Sequence, residues 1–362
     1  MDKKYTQAEC DKIRIGQDAI ENGATITYKR LPLTDDPGGV DPQVLKSARK
    51  MTFSMKLLPK RQIAAMFSNL ATLRLVFNGI KSIPVTREDM RIENLTVCGS
   101  GGDIPIRLYF PEGESQGLPV FYYIHGGGGF AGSPDVVEQA CKMITDMHPC
   151  LTVSVDYRLA PENPFPAGPE DCWSALVWIY EHIAAYGGDP QRIAVSGDSF
   201  GGNMSLYCAL RDREERTGMV KLAIPFYPCA NTANVEDAYY EKPRLEMFEI
   251  NDKYKKFINP MMMGALLDNP SVFQDADLNS MWLSPYLQDL TGLPPMLILA
   301  GSHDYLMPGC KALAMKLTKA DVLVRTVIYR GVGHAFLDEV GILPQAEDSL
   351  IEVSEAMTKY LG

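Results

Sequence analysis

The chain has 362 residues, 46% of them hydrophobic, and a formal net charge of −10. That length suits one large α/β domain with additions, or two domains, and the acid excess argues against nucleic-acid binding. No apolar run reaches the roughly 18 residues of a membrane-spanning helix. Residues 1–10 offer no apolar stretch for a signal-peptide core, so a cytoplasmic protein is expected. The eight cysteines are scattered, with no C-x-x-C pair and no metal-ligand spacing. They read as buried small hydrophobes, and neither a metal nor a cofactor is expected.

In chain order, residues 1–90 come first and fit no strand–helix alternation. They are expected to form a helical cap segment. Between residues 43 and 86 stand Lys46, Arg49, Lys50, Lys56, Lys60, Arg61, Arg74 and Lys81, with no Asp or Glu. Apolar groups are interleaved: Met51, Phe53, Met55, Leu57, Leu58, Met66, Phe67, Leu70, Leu73 and Phe77. A basic amphipathic helix can read as a membrane-surface element. A cap laid on the acidic body of the same protein is the preferred reading, without stable membrane insertion.

From about residue 90 the pattern alternates. Strands are predicted at 91–98, 104–110, 120–124, 151–156, 192–196, 221–227, 295–300 and 323–329, the first two as a hairpin across Gly99-Ser100-Gly101-Gly102. Helices are predicted at 135–147, 169–186, 201–213, 308–319 and 343–360. This order predicts a mostly parallel, eight-stranded α/β sheet with helices on both faces. Residues 91–228 and 283–362 form the expected core. Residues 229–282 interrupt it and carry Tyr239, Tyr240, Met247, Phe248, Tyr254, Phe257, Met261, Met262, Met263 and Trp282. An insertion at the catalytic end of a sheet is expected to be a cap or pocket wall.

Ligands of such sheets bind beyond the carboxyl ends of the strands, and three reactive side chains fall there. Gly197-Asp198-Ser199-Phe200-Gly201 lies between the strand at 192–196 and the helix at 201–213. A G-x-S-x-G turn holds its central Ser in strained backbone with the hydroxyl exposed, and small neighbours let the chain pass. Asp304 follows the strand at 295–300, and His334 follows the strand at 323–329. Upstream, the strand at 120–124 runs into His125 and the four glycines 126–129. The absence of a following Lys-Ser/Thr excludes a P-loop, and freely oriented backbone N–H groups suit an oxyanion.

Four stretches carry a family resemblance: HGGGGFAGS at 125–133, VDYRLAPENPFPA at 155–167, GDSFGGNM at 197–204 and GVGHAF at 331–336. With SPYLQDLTGLPPMLILAGSHD at 284–304, they resemble the hormone-sensitive-lipase-like branch of the α/β-hydrolases, also called family IV esterases. The resemblance covers residues 90–362 and implies an α/β-hydrolase fold with a helical cap. It implies Ser199 as nucleophile, His334 as base and Asp304 as the orienting acid. Gly127, Gly128 and Phe200 map onto its oxyanion-hole donors, and His125 onto a brace of the glycine loop. The chain departs from the family at Phe200, where Ala is usual, at Gly129, where an aromatic is usual, and after Asp304, where the second acidic pair is missing.

The expected function is that of a serine carboxylesterase acting on a small-molecule ester with a short acyl group, acetyl to butyryl, since the Phe200 ring and the crowded insertion are expected to narrow the acyl pocket. Deacetylation of carbohydrates, lactone hydrolysis and amide hydrolysis use the same triad and stay open. A non-catalytic receptor on this fold is disfavoured by the presence of His334. His303, beside Asp304, is a rival base, and Asp304 as a plain helix cap is a rival reading of that carboxylate. The resemblance allows a homodimer, but nothing in the sequence fixes the oligomeric state.

Overall fold

The computed structural model describes residues 2–57, 59, 61, 69–79, 81–113, 116–262, 273 and 276–362. Leu58, Lys60, Met66, Phe67 and Met263, all noted in the sequence, lie outside the described residues.

The eight predicted strands form, with boundaries shifted by a few residues. They are β3 (Ile92–Gly99), β4 (Gly102–Tyr109), β5 (Leu118–Ile124), β6 (Leu151–Val155), β7 (Gly188–Asp198), β8 (Val220–Phe226), β9 (Met296–Gly301) and β10 (Val324–Tyr329). The sheet, however, has ten strands rather than eight. The two additional ones, β1 (Gly16–Glu21) and β2 (Ala24–Lys29), come from the N-terminal segment, which is therefore not wholly a helical cap. The order across the sheet is β1-β2-β10-β9-β8-β7-β5-β6-β4-β3. Neighbours from β2 to β6 run parallel, and the pairs β1–β2, β6–β4 and β4–β3 are antiparallel.

The missed hairpin has a clear local cause. Asn22 and Gly23 join its strands, and both hold positive φ, 44° and 86°. Asn-Gly favours the two-residue turn whose twist matches paired strands. In β2, Ala24, Ile26, Thr27 and Lys29 are buried. The ammonium of Lys29, with its side chain 2% exposed, meets Asp348 Oδ2 at 3.1 Å and Glu352 Oε1 at 2.7 Å.

The helices are α1 (Gln7–Ile13), α2 (Pro42–Lys56), α3 (Leu70–Phe77), α4 (Glu138–Met147), α5 (Ala167–His182), α6 (Phe200–Glu215), α7 (Met307–Lys319) and α8 (Pro344–Leu361). One layer packs α8 against α1 and α4, and another packs α5 against α6. Strands β5 and β6 are buried along their whole lengths, as expected of central strands covered on both faces. Helix α6 is buried on every side over Phe200–Leu210, and it carries Ser199 at its N-terminus.

Within the inserted segment, the described residues form short turns of helix at Leu245–Met247 and Asp252–Lys255. Trp282 packs edge-on against Phe165, with ring centroids 5.5 Å apart, and its carbonyl accepts from Asn203 Nδ2 at 2.7 Å. That bond ties the end of the insertion to the helix behind Ser199. No helix among the described residues is long and apolar enough to cross a membrane.

Candidate active site

Ser199 stands between β7 and α6 with φ 55° and ψ −117°. This is left-handed backbone, costly for a residue with a side chain and typical of a functional turn. Its N–H donates to the Phe226 carbonyl at 2.9 Å, and its own carbonyl accepts from Asn203 N at 3.0 Å. The strained residue is thereby held from both sides. Gly201 must be glycine here, because a Cβ would stand 2.0 Å from the Ile124 carbonyl oxygen.

His334 reaches Ser199 from the loop after β10. Its Nε2 lies 2.9 Å from Ser199 Oγ, and its Nδ1 lies 2.9 Å from Asp304 Oδ2. Asp304 is fully buried, and its other oxygen accepts from Leu306 N at 2.8 Å. The structure therefore brings together the three residues that the sequence places after three separate strands. Burial alone would push the His334 imidazole down, but Asp304, joined by Asp198 and Asp338, raises it above its ordinary value.

His303 is turned elsewhere. Its Nε2 meets the Glu249 carbonyl at 3.1 Å, and burial pushes its pKa down to about 4. Asp304 and His303 point apart because they are adjacent in one chain segment.

The glycine loop wraps toward Ser199. Gly127 has φ 109°, and a Cβ on it would stand 2.1 Å from the Ala131 carbonyl oxygen. Only glycine fits there. Its carbonyl accepts from Phe130 N and Ala131 N, which curls the loop. Among the described residues, the N–H groups of Gly127, Gly128 and Phe200 have no hydrogen-bond partner. His125 lies under the loop, stacked on Tyr157 at 4.3 Å between centroids, with Nδ1–H donating to the Gly126 carbonyl at 2.8 Å. Burial pushes its pKa down to about 4, so it stays neutral.

Asp198, beside the serine, accepts from Tyr123 OH and Gly126 N through one oxygen, both at 2.9 Å. It couples the serine turn to the glycine loop. Burial and then the Asp338 carboxylate push its pKa up to about 7.

A cavity of about 130 Å³ opens above Ser199 and His334. Gly127, Val136 and Val137 line it from the core, and Val76, Phe77 and Lys81 line it from the N-terminal segment. Gly128 and Phe200 do not line this cavity. The Phe200 ring instead faces a small neighbouring space with Gly129, Tyr157, Phe165 and Phe273. It stacks on Phe273 of the insertion, with centroids 6.0 Å apart.

Four contributors were not singled out from sequence. Tyr227, just past β8, packs its ring edge-on to His334 at 4.9 Å. Its position at a strand's carboxyl end was a usable signal. Asp338 and Lys81 both line the cavity, with 4.0 Å between Lys81 Nζ and Asp338 Oδ2. Arg74 holds the glycine loop to α3. Lys81 and Arg74 were visible only as members of a charge run, which gives no position.

A sequence model of the α/β-hydrolase fold family matches residues 121–338. The carboxylesterase NlhH of Mycobacterium tuberculosis is 34% identical over 271 residues, spanning 75% of this chain and 83% of that protein. The chain belongs to the hormone-sensitive-lipase-like branch of the α/β-hydrolases. Another α/β-hydrolase relative, the ethyl acetate hydrolase of Pseudomonas putida, is 29% identical over 273 residues, 72% of this chain and 80% of its own length. A hyperthermophilic esterase from the archaeon Pyrobaculum calidifontis superposes with a TM-score of 0.73 at 26% identity, covering 89% of this chain and 98% of its own. The ten-stranded sheet, the glycine loop and the serine turn are this chain's version of the α/β-hydrolase frame.

Proposed function

We propose that the protein is a serine carboxylesterase in which Ser199, His334 and Asp304 form the catalytic triad. The observation that carries this reading is the continuous relay from Asp304 Oδ2 to His334 Nδ1 and from His334 Nε2 to Ser199 Oγ, with 2.9 Å at each step. Carboxylesterase activity is also the activity named for the Mycobacterium relative.

In this reading neutral His334 takes the Ser199 proton at Nε2 as Oγ attacks the ester carbonyl carbon. Asp304 fixes the imidazole tautomer, with the proton on Nδ1, and stabilises the imidazolium. The unpaired N–H groups of Gly127, Gly128 and Phe200 receive the negative oxygen of the tetrahedral intermediate. Collapse of that intermediate breaks the bond to the leaving oxygen, which takes the proton from His334 Nε2. An acyl group then remains on Ser199. Water, deprotonated by the same nitrogen, attacks the acyl carbon; collapse of the second tetrahedral intermediate breaks the bond to Ser199 Oγ, which recovers its proton from His334 Nε2 as the acid leaves.

Short acyl groups fit this site best. The cavity of about 130 Å³ is small beside the roughly 300–1,000 Å³ of ordinary ligand pockets. The Phe200–Phe273 stack fills the adjoining space. A hydrolysis screen over aryl esters, acetylated sugars and lactones identifies the alcohol part of the substrate.

The test is fluorophosphonate labelling beside turnover of p-nitrophenyl acetate. Wild type is expected to be labelled once, at Ser199. Ser199→Ala is expected to lose labelling and at least about 10³-fold in kcat, with an unchanged circular dichroism spectrum. Full turnover by folded Ser199→Ala would overturn the reading. A higher kcat/KM for decanoyl than for acetyl esters would overturn the short-chain part alone.

A further inference from the structure

The basic stretch of the N-terminal segment plays no part in the chemistry derived above, apart from Arg74 and Lys81. Helix α2 is anchored at its start, where Asp41 accepts from Gln43 N at 2.8 Å and from Gln345 Nε2 at 3.1 Å. Ala48 is buried, and Val44 packs on the core. The opposite side of the helix faces solvent.

That side has a definite pattern. Lys46, Lys50, Phe53 and Leu57 recur at i, i+4, i+7 and i+11, so they share one stripe of the helix and of the turn just past it. Arg49 and Lys56 flank the stripe. All six are exposed, Phe53 by 66% and Leu57 by 71%. Lys46, Lys50 and Lys56 make no ion pair among the described residues, although other surface cations of the chain commonly do, whereas Arg49 lies over the Phe257 ring, 5.4 Å from its centroid. Leu75 and Val76 of α3 are exposed as well, and Val76 also walls the cavity above Ser199.

We propose that this face of α2 seats the protein on an anionic lipid surface. Bulky apolar side chains among unpaired cations on one helix face match a surface with negative headgroups over an apolar interior. The cations meet the headgroups while Phe53 and Leu57 enter the acyl boundary. A second copy fits this face less well. Self-pairing would set Lys46 and Lys50 against like charges. Docking on the acidic body would leave Phe53 and Leu57 without an apolar partner, because outside α2 and α3 the large exposed apolar groups are scattered, at Ile15, Ile20, Leu33, Val235, Met262 and Leu323. This contact is peripheral and needs no membrane-spanning helix. It does not depend on the esterase reading, because binding is measured without turnover.

The test is co-sedimentation of the full chain with phosphatidylglycerol–phosphatidylcholine vesicles and with phosphatidylcholine vesicles, at low and high salt. Wild type is expected to pellet with the anionic vesicles alone and to be released by salt. The double variants Phe53→Ser/Leu57→Ser and Lys46→Glu/Lys50→Glu are each expected to bind at least about tenfold more weakly. Both should keep the wild-type circular dichroism spectrum and thermal unfolding midpoint, which serve as the fold control. Failure of wild type to bind anionic vesicles, or equal binding to neutral ones, would overturn the proposal. So would a stable wild-type dimer in light scattering that Phe53→Ser/Leu57→Ser dissociates, since the face would then be a subunit contact.

Discussion

Arg74 of helix α3 donates through Nε to the carbonyl oxygen of Phe130 in the glycine loop, at 2.7 Å. Its Nη2 donates to the Ala160 carbonyl at 2.9 Å, and Ala160 N in turn donates to the Gly129 carbonyl at 2.9 Å. One planar guanidinium thus bridges both flanks of the loop that presents the Gly127 and Gly128 N–H groups. Asn78, just beyond the helix, accepts from Gly132 N at 2.7 Å and pins the far end of the same loop.

Arg74 is accordingly a positioning residue. Arg74→Ala should lower kcat on p-nitrophenyl acetate by about 10- to 100-fold, below the cost of removing an oxyanion donor outright, with a smaller change in KM. Arg74→Lys should rescue only partly, because an ammonium lacks the fork that spans two carbonyls. The exposed partner Glu162 contributes charge at the surface, so Glu162→Gln should leave kcat near wild type. Steady-state kinetics of the three variants checks this, and equal losses in Arg74→Ala and Glu162→Gln would refute the positioning role.

The pH dependence follows from His334. Burial opposes its charging, but Asp304, Asp198 and Asp338 together raise its pKa above the ordinary imidazole value. The base works only when neutral. The acid limb of kcat/KM should therefore inflect above about pH 6.5, with activity rising as the pH increases through it. Asp338→Asn removes one of the carboxylates that favour the imidazolium, so the inflection should move to lower pH. An unchanged or raised inflection in Asp338→Asn would contradict this electrostatic account.

The buried ammonium of Lys29 fastens the β1–β2 hairpin to α8. Removing it leaves the nearly fully buried Asp348 and Glu352 with the partly exposed Arg14 as their shared cation, at 3.3 and 3.8 Å. Lys29→Ala should cost about 3 kcal/mol or more of stability, as when one partner of a buried ion pair is lost. Tyr329 OH on Asp348 Oδ2 and Arg325 on Glu352 remain to absorb part of the charge. Urea denaturation should show the loss, while kcat of the folded variant should stay close to wild type because the hairpin lies at the sheet edge away from Ser199.

Much of the candidate site was legible because it is written in short, local signals. Ser199 lies in a turn whose glycines permit a passage that no other residue fits, and Asp304 and His334 each follow a strand that periodicity alone reveals. A parallel sheet then places all three at one end, since every such strand ends there. The β1–β2 hairpin was equally local, with Asn22-Gly23 between two six-residue runs, but it stands outside the strand–helix alternation that begins near residue 90 and was grouped with the N-terminal cap segment.

What the sequence determined by itself was the frame and the candidate reactive groups, because strand period, turn chemistry and residue order act over a few residues. Tertiary structure alone decided which groups surround them. Arg74 and Lys81 lie more than a hundred residues from Ser199 in the chain, yet Arg74 grips the glycine loop and Lys81 lines the cavity. Phe200, expected from sequence to narrow the acyl space, turns its ring to Phe273 and away from the cavity above Ser199. Side-chain direction and long-range contact depend on how the layers pack, and no local pattern carries that information.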